Sequence, residues 1–221
     1  MWYLVKEFLL LAIVLHAEAT GLLLAQTPCS NADSALPKIT VHVYNYAQVS
    51  LRQLAEAERE TSNVLKAAGL AAEWVTCPVS DQDHGVNPAC DRRLLPSELV
   101  LNIMPHQNGT GLRYGDTFGY AQLFTSGQIG HYAFLFYDRL HDFARGNLSE
   151  GQLLGGVASH EIGHLLLGST AHTLRGLMSA RWDKDDLDQL SWDQLRFNPA
   201  QVEQLRAGLK ARCTEFRPTT R

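Results

Sequence analysis

The chain has 221 residues, 45% of them apolar and 19% charged, with a formal net charge of −4. That composition is globular, and the length suits one domain with a sizeable core better than two. Lysine and arginine form no block, so nothing supplies a phosphate-neutralising surface, and a nucleic-acid partner is set aside.

Phe8 to Leu15 is an unbroken apolar run behind Lys6, followed by the small-x-small pattern Ala17-Glu18-Ala19. A membrane span needs about 20 apolar residues, and His16 and Glu18 interrupt this run. A signal peptide over residues 1–25 is therefore expected, cleaved after Ala19 or Ala25; an uncleaved tether is the rival reading. Residues 26–221 are then expected to act outside the cytoplasm, secreted or periplasmic, as a monomer without a membrane anchor. Four cysteines without C-x-x-C spacing agree with export and read as two disulfides. Cys77 and Cys90 flank a loop rich in Asp, Asn, Gly and Pro, and Cys29 with Cys213 would tie the two ends together. Four cysteines allow three connectivities, and the sequence does not choose among them.

Ile39 to Tyr44 (ITVHVY) alternates like a strand. Ser50 can cap a helix that runs to about Ala68, buries Leu51, Leu54, Val64 and Leu65, and stops at Gly69. Ala71 to Thr76 reads as a second strand and Glu98 to Met104 as a third, stopped by Pro105. A glycine-rich stretch from Asn108 to Gly115 leads to a short edge-type strand at Thr117 to Gln122. His131 to Tyr137 (HYAFLFY) is apolar enough to be central in the sheet. Ser149 and Gln152 form a capping box for a second helix, whose apolar positions continue to Leu166 before Gly168. The remainder carries little strand character until Asn198-Pro199 opens a last helix ending near Arg212. The fold class expected is α/β (α+β): a five-stranded twisted mixed sheet with two helices, then a small, mainly helical or irregular C-terminal subdomain. Residues 38–168 would form the upper part and 169–221 the lower.

The second helix carries His160-Glu161-Ile162-Gly163-His164. Residues four apart lie on one helix face, one turn separated, so both imidazoles can reach one ion. Zinc suits neutral imidazole nitrogen, and a catalytic site uses three protein ligands with one position left open. Glu161, beside the first ligand, can take the proton from the hydrolytic water. Gly168 can adopt the left-handed conformation that ends a helix, and His172 follows four residues later, able to return toward the metal. Gly176-Leu177-Met178 makes a second tight turn.

HEIGHLLLGSTAH (His160 to His172) followed by Leu177-Met178 resembles the metzincin clan of zinc endopeptidases. The resemblance implies a metzincin-like fold with three zinc ligands, His160, His164 and His172. It implies Glu161 as general base and Met178 as a hydrophobic base under the site. It also implies a cleft beneath the edge strand, with an extended peptide or protein substrate paired to Thr117–Gln122. The clan pattern is H-E-x-x-H-x-x-G-x-x-H, and here one more residue stands on each side of the glycine. The helix exit is thereby turned by about 100°, which the Ser169-Thr170-Ala171 link must offset. Ala180 stands where some metzincins carry a movable tyrosine ligand.

Two other readings stay open: a zinc peptidase whose third ligand is a downstream glutamate, Glu203, and a zinc-stabilised binding module without turnover. His42, His106, His131 and His141 have no partner at ligand spacing and read as structural. Asp183, Asp185, Asp186 and Asp188 lack the EF-hand glycine and terminal glutamate and read as a solvated acidic surface. Asn108-Gly-Thr110 and Asn147-Leu-Ser149 match glycosylation sequons.

Overall fold

The structure is a computed structural model and describes residues 36–80, 87–105, 117–124, 130–144 and 147–215. The signal-peptide segment, Cys29, His106 and the Asn108 sequon lie outside the described residues. Strands β1 (Lys38–Asn45), β2 (Ala71–Cys77), β3 (Glu98–Met104), β4 (Gly119–Ala121) and β5 (Tyr132–Phe136) form one sheet in the order β2-β1-β3-β5-β4. All pairings are parallel except β4 with β5, which is antiparallel and leaves β4 at one edge. The sheet is therefore mixed, as the sequence predicts. β5 is an inner strand, while β3 holds the centre.

Two helices cover the sheet because each carries a start signal and an apolar face. Helix α1 (Leu51–Ala67) is capped by Ser50 reciprocally with Gln53, and helix α4 (Glu150–Leu167) by Ser149 reciprocally with Gln152. Each box satisfies backbone donors that a helix start leaves unpaired. The helices meet at Gly155, where a Cβ would come within 2.7 Å of both Ala57 O and Glu60 Cβ. Glycine is thus what lets their backbones approach. Leu54, Val64 and Leu65 are buried as expected, but Leu51 is 84% exposed. It stands at the first residue of the helix, ahead of the turn that carries Leu54 to the core.

More helix is present than expected. Short helices α2 (Pro88–Asp91) and α3 (Tyr137–Phe143) extend the connections, and α5 (Lys184–Ser191) occupies the acidic stretch. Helix α6 (Pro199–Glu215) opens where predicted, with Asn198 and Gln201 exchanging side chain-to-backbone bonds of 2.9 Å. It lies so close to α4 that a Cβ on Gly208 would stand 2.0 Å from Leu166 O. Buried Arg212 reaches from it to Pro96 O and Gly130 O, both at 2.8 Å. One apolar core therefore runs from Ile39 through Leu177 and Met178 to Leu209. Cys77 and Cys90 are bridged, with Cα atoms 5.8 Å apart, and Cys213 is also disulfide-bonded, to a partner outside the described residues. Among the described residues no helix is long and apolar enough to cross a membrane.

Candidate metal centre

Helix α4 is buried on every side from Leu153 to Leu166. A helix apolar all round belongs in a core, so its few polar side chains need an explanation each. Ser159 satisfies itself by donating to Gly155 O at 2.8 Å. His160, Glu161 and His164 do not close on the helix in that way.

The two histidines face the same side, their rings 4.6 Å apart. His160 Nε2 stands 3.0 Å from His164 Nε2, and His172 Nε2 is 3.2 Å from the latter. Each helical histidine is anchored through its other nitrogen: His160 Nδ1–H donates to Leu177 O and His164 Nδ1–H to Ser169 O, both at 2.7 Å. A carbonyl only accepts, so Nδ1 carries the proton in both rings and each Nε2 presents a bare lone pair. Lone pairs aimed at one another across 3.0 Å repel unless a cation lies between them. A proton does not serve there at neutral pH. Burial, helped by His164 and His172, pushes His160 down to about 3, and burial also lowers His164. Three converging imidazole nitrogens, two of them in rings of fixed tautomer, fit a transition-metal ion.

The local chain explains how His172 arrives. Gly168 sits at φ 62°, ψ 28°, the left-handed conformation that ends α4, and the turn directs Ser169 O back onto His164. Residues 169–171 span the gap, three extended residues reaching roughly 10 Å. The additional residue before Gly168 lengthens α4 to Leu167, and the one after it lengthens the 169–171 link. Thr173 then bridges to Ser179, its N–H donating to Met178 O at 2.8 Å. Gly176, at φ 82°, completes the second turn.

Met178 is 1% exposed and packs against α4 at Gly163. A Cβ on Gly163 would meet Met178 Sδ at 2.7 Å and Phe197 at 2.8 Å, so Gly163 makes the space that methionine fills. Glu161 is 5% exposed and its Oε2 has no hydrogen-bond partner. Burial pushes its carboxyl up to about 8; a divalent cation alongside would draw it back down. Edge strand β4 passes over it, since a Cβ on Gly119 would come within 3.2 Å of Glu161 Cγ.

The remaining predicted residues fall elsewhere. Glu203 is exposed on α6 and is not in the histidine group. His42 lies against Cys77 and Glu98, His131 against Glu98 O, and His141 against Glu150, as structural histidines do. The acidic stretch is not all solvated surface. Asp186 is 3% exposed, accepts from Gly176 N–H at 3.0 Å and shares a capping box with Asp183. It thereby holds the turn that delivers Met178, and the Asp-x-x-Asp spacing was the signal for it. The carbonyls of Ser169 and Leu177 and the indole of Trp182 were beyond sequence reasoning, because backbone acceptors leave no residue-type signature.

The sequence matches no family model and no curated protein. Among solved structures the chain is similar to metalloproteinase-II from Bacteroides fragilis, at 13% sequence identity and a TM-score of 0.44, with 77% of this chain and 52% of that one covered. The chain thus spans about half the length of that neighbour.

Proposed function

We propose that this chain is an exported, monomeric zinc endopeptidase of divergent metzincin type, with residues 1–25 removed and residues 38–168 and 169–221 forming the two walls of its cleft. The observation that carries the reading is the meeting of three imidazole Nε2 atoms, with a buried, unpartnered carboxylate oxygen on the residue next to the first of them in the chain. His160, His164 and His172 hold the metal. Zinc in such a site supplies Lewis acidity toward a peptide carbonyl and toward water. Leu177 O and Ser169 O keep the first two ligands in the tautomer that leaves Nε2 free. Glu161, with Oε2 unengaged, takes a proton from the attacking water and returns it to the leaving amine. β4, the edge strand of the sheet among the described residues, is where an extended peptide would pair, the usual way a sheet edge recognises one.

The test is zinc content of the purified protein together with cleavage of unfolded casein, with and without a chelator. One equivalent of zinc and chelator-sensitive cleavage are expected. Zinc without cleavage would favour a zinc-stabilised binding module, and no zinc would remove the reading altogether.

A further inference from the structure

The Leu177 carbonyl that fixes His160 has a second donor. Trp182 Nε1–H reaches it at 3.1 Å, while His160 Nδ1–H holds it at 2.7 Å. A carbonyl oxygen has two lone pairs, and these two bonds use both. The indole also stands edge-on to the His160 ring, with centroids 6.2 Å apart and planes at 77°. Room for it is made on α4 itself: a Cβ on Gly156, one turn before His160, would come within 3.2 Å of Trp182 Cη2. The backbone leading to Trp182 is pinned as well. Ser179 Oγ donates to Arg181 O at 2.8 Å, and Asp183 directly afterwards caps α5.

We infer that Trp182 is a positioning residue of the metal centre, directing the Leu177 carbonyl so that His160 keeps its Nε2 on the ion. The inference rests on the metal reading above and adds to it a residue outside the ligand set. The reason is mechanical. A carbonyl held by one donor can swing about that bond, and the imidazole it orients swings with it. A second donor from a different direction fixes the acceptor, and the ring packed against His160 blocks rotation on that side. Outer-shell partners of this kind are typically worth about 10- to 100-fold in metal affinity.

Trp182→Phe keeps an aromatic ring at this position and removes the N–H together with part of the indole ring system. Zinc affinity should fall by about 10- to 100-fold, while the unfolding midpoint of the metal-free protein drops only slightly, from the lost ring atoms. Trp192→Phe, at an indole 62% exposed on the far side of α5, should change neither. Unchanged zinc affinity in Trp182→Phe would overturn the inference. So would a metal-free midpoint that drops in step with affinity, since that is what mere space-filling gives. If the variant does not fold, the wild-type protein still decides: the Trp182 indole N–H resonance should shift and exchange more slowly when zinc is added, and an unmoved signal counts against the role. His160→Ala separates the two levels. If it leaves zinc binding intact, the metal reading itself fails; if it abolishes binding while Trp182→Phe does not weaken it, only the positioning role is lost.

Discussion

Among the described residues, two trios of side chains each gather ligand-type atoms within 4.8 Å: His160, His164 and His172 at the end of α4, and His42 of β1 with Cys77 and Cys90. Proximity is the same, and the chemistry is opposite. In the second trio the sulfurs are bonded to each other, so neither is the thiolate that a metal takes. His42 is wedged between Cys77 Sγ and Glu98 Oε1, at 3.7 Å from each. Burial alone would raise the Glu98 carboxyl, but the Arg92 guanidinium and the Leu95 N–H outweigh it and hold Glu98 below its ordinary value. That trio offers no thiolate, and its one imidazole keeps Nε2 without a hydrogen-bond partner. In the first, both anchored rings have spent their N–H groups on carbonyls and keep their lone pairs pointed inward. What separates a metal centre from a knot in the core is the donor set: three converging imidazole nitrogens in one, a single imidazole beside a disulfide in the other.

Glu161→Gln sharpens the contrast most. The amide fits the same space but cannot accept the proton, so peptide hydrolysis should fall by about a hundred- to ten-thousand-fold with zinc content unchanged. Equal loss of zinc and activity, seen by metal analysis beside a casein assay, would make Glu161 a ligand or a prop. The second trio should respond in stability alone. Opening the bridge with Cys77→Ser and Cys90→Ser should cost about 3 kcal/mol, the value for a loop of this size. His42→Ala should cost roughly 1–3 kcal/mol through the weakened partner contacts. Denaturant titration measures both, and zinc stoichiometry should not move in either. A lost equivalent of zinc in His42→Ala would erase the distinction between the trios.

A pH-dependent effect on stability is expected in the middle of α1. Glu60 is fully buried, and burial, reinforced by the neighbouring Asp193 carboxylate, pushes its carboxyl from 4.5 up to about 8 despite Arg196 and Arg59. A carboxyl raised on folding binds its proton more tightly in the native state. Its contribution is therefore complete below pH 4.5 and is lost as pH rises through about 8. Unfolding free energies of the wild type should decline across that window relative to Glu60→Gln, which cannot ionise. Parallel pH profiles would show that Glu60 keeps its charge in the fold.

How much of this was legible in the sequence follows the range of the interactions. The cap at Ser50, the capping box at Ser149, the left-handed Gly168 and the His160–His164 spacing are local, and each is found where the residue types predict. β3, Glu98–Met104, matches residue for residue because its apolar run is bounded by Pro105. Helix α5 was missed because only Leu187 and Leu190 mark its apolar side, while its Asp183–Asp186 box is written in acids that read as surface. Arg212 and His42 illustrate the other limit. Arg212 is buried by Pro96 and Gly130, 116 and 82 residues away in sequence, and His42 by Cys77, 35 residues away. No periodicity reports such partners. The His172 approach was legible only as reach; that the turn at Gly168 would also hand Ser169 O to His164 depended on the folded backbone.

Metal titration of two purified variants, His172→Ala and Glu203→Ala, tests the central claim most directly. His172 supplies one of three converging nitrogens, whereas Glu203 is exposed on α6. Zinc affinity should drop in His172→Ala by more than the roughly 10- to 100-fold typical of outer-shell residues, and Glu203→Ala should bind as the wild type does. Loss of affinity in Glu203→Ala with His172→Ala unaffected would contradict the account and move the third ligand to α6.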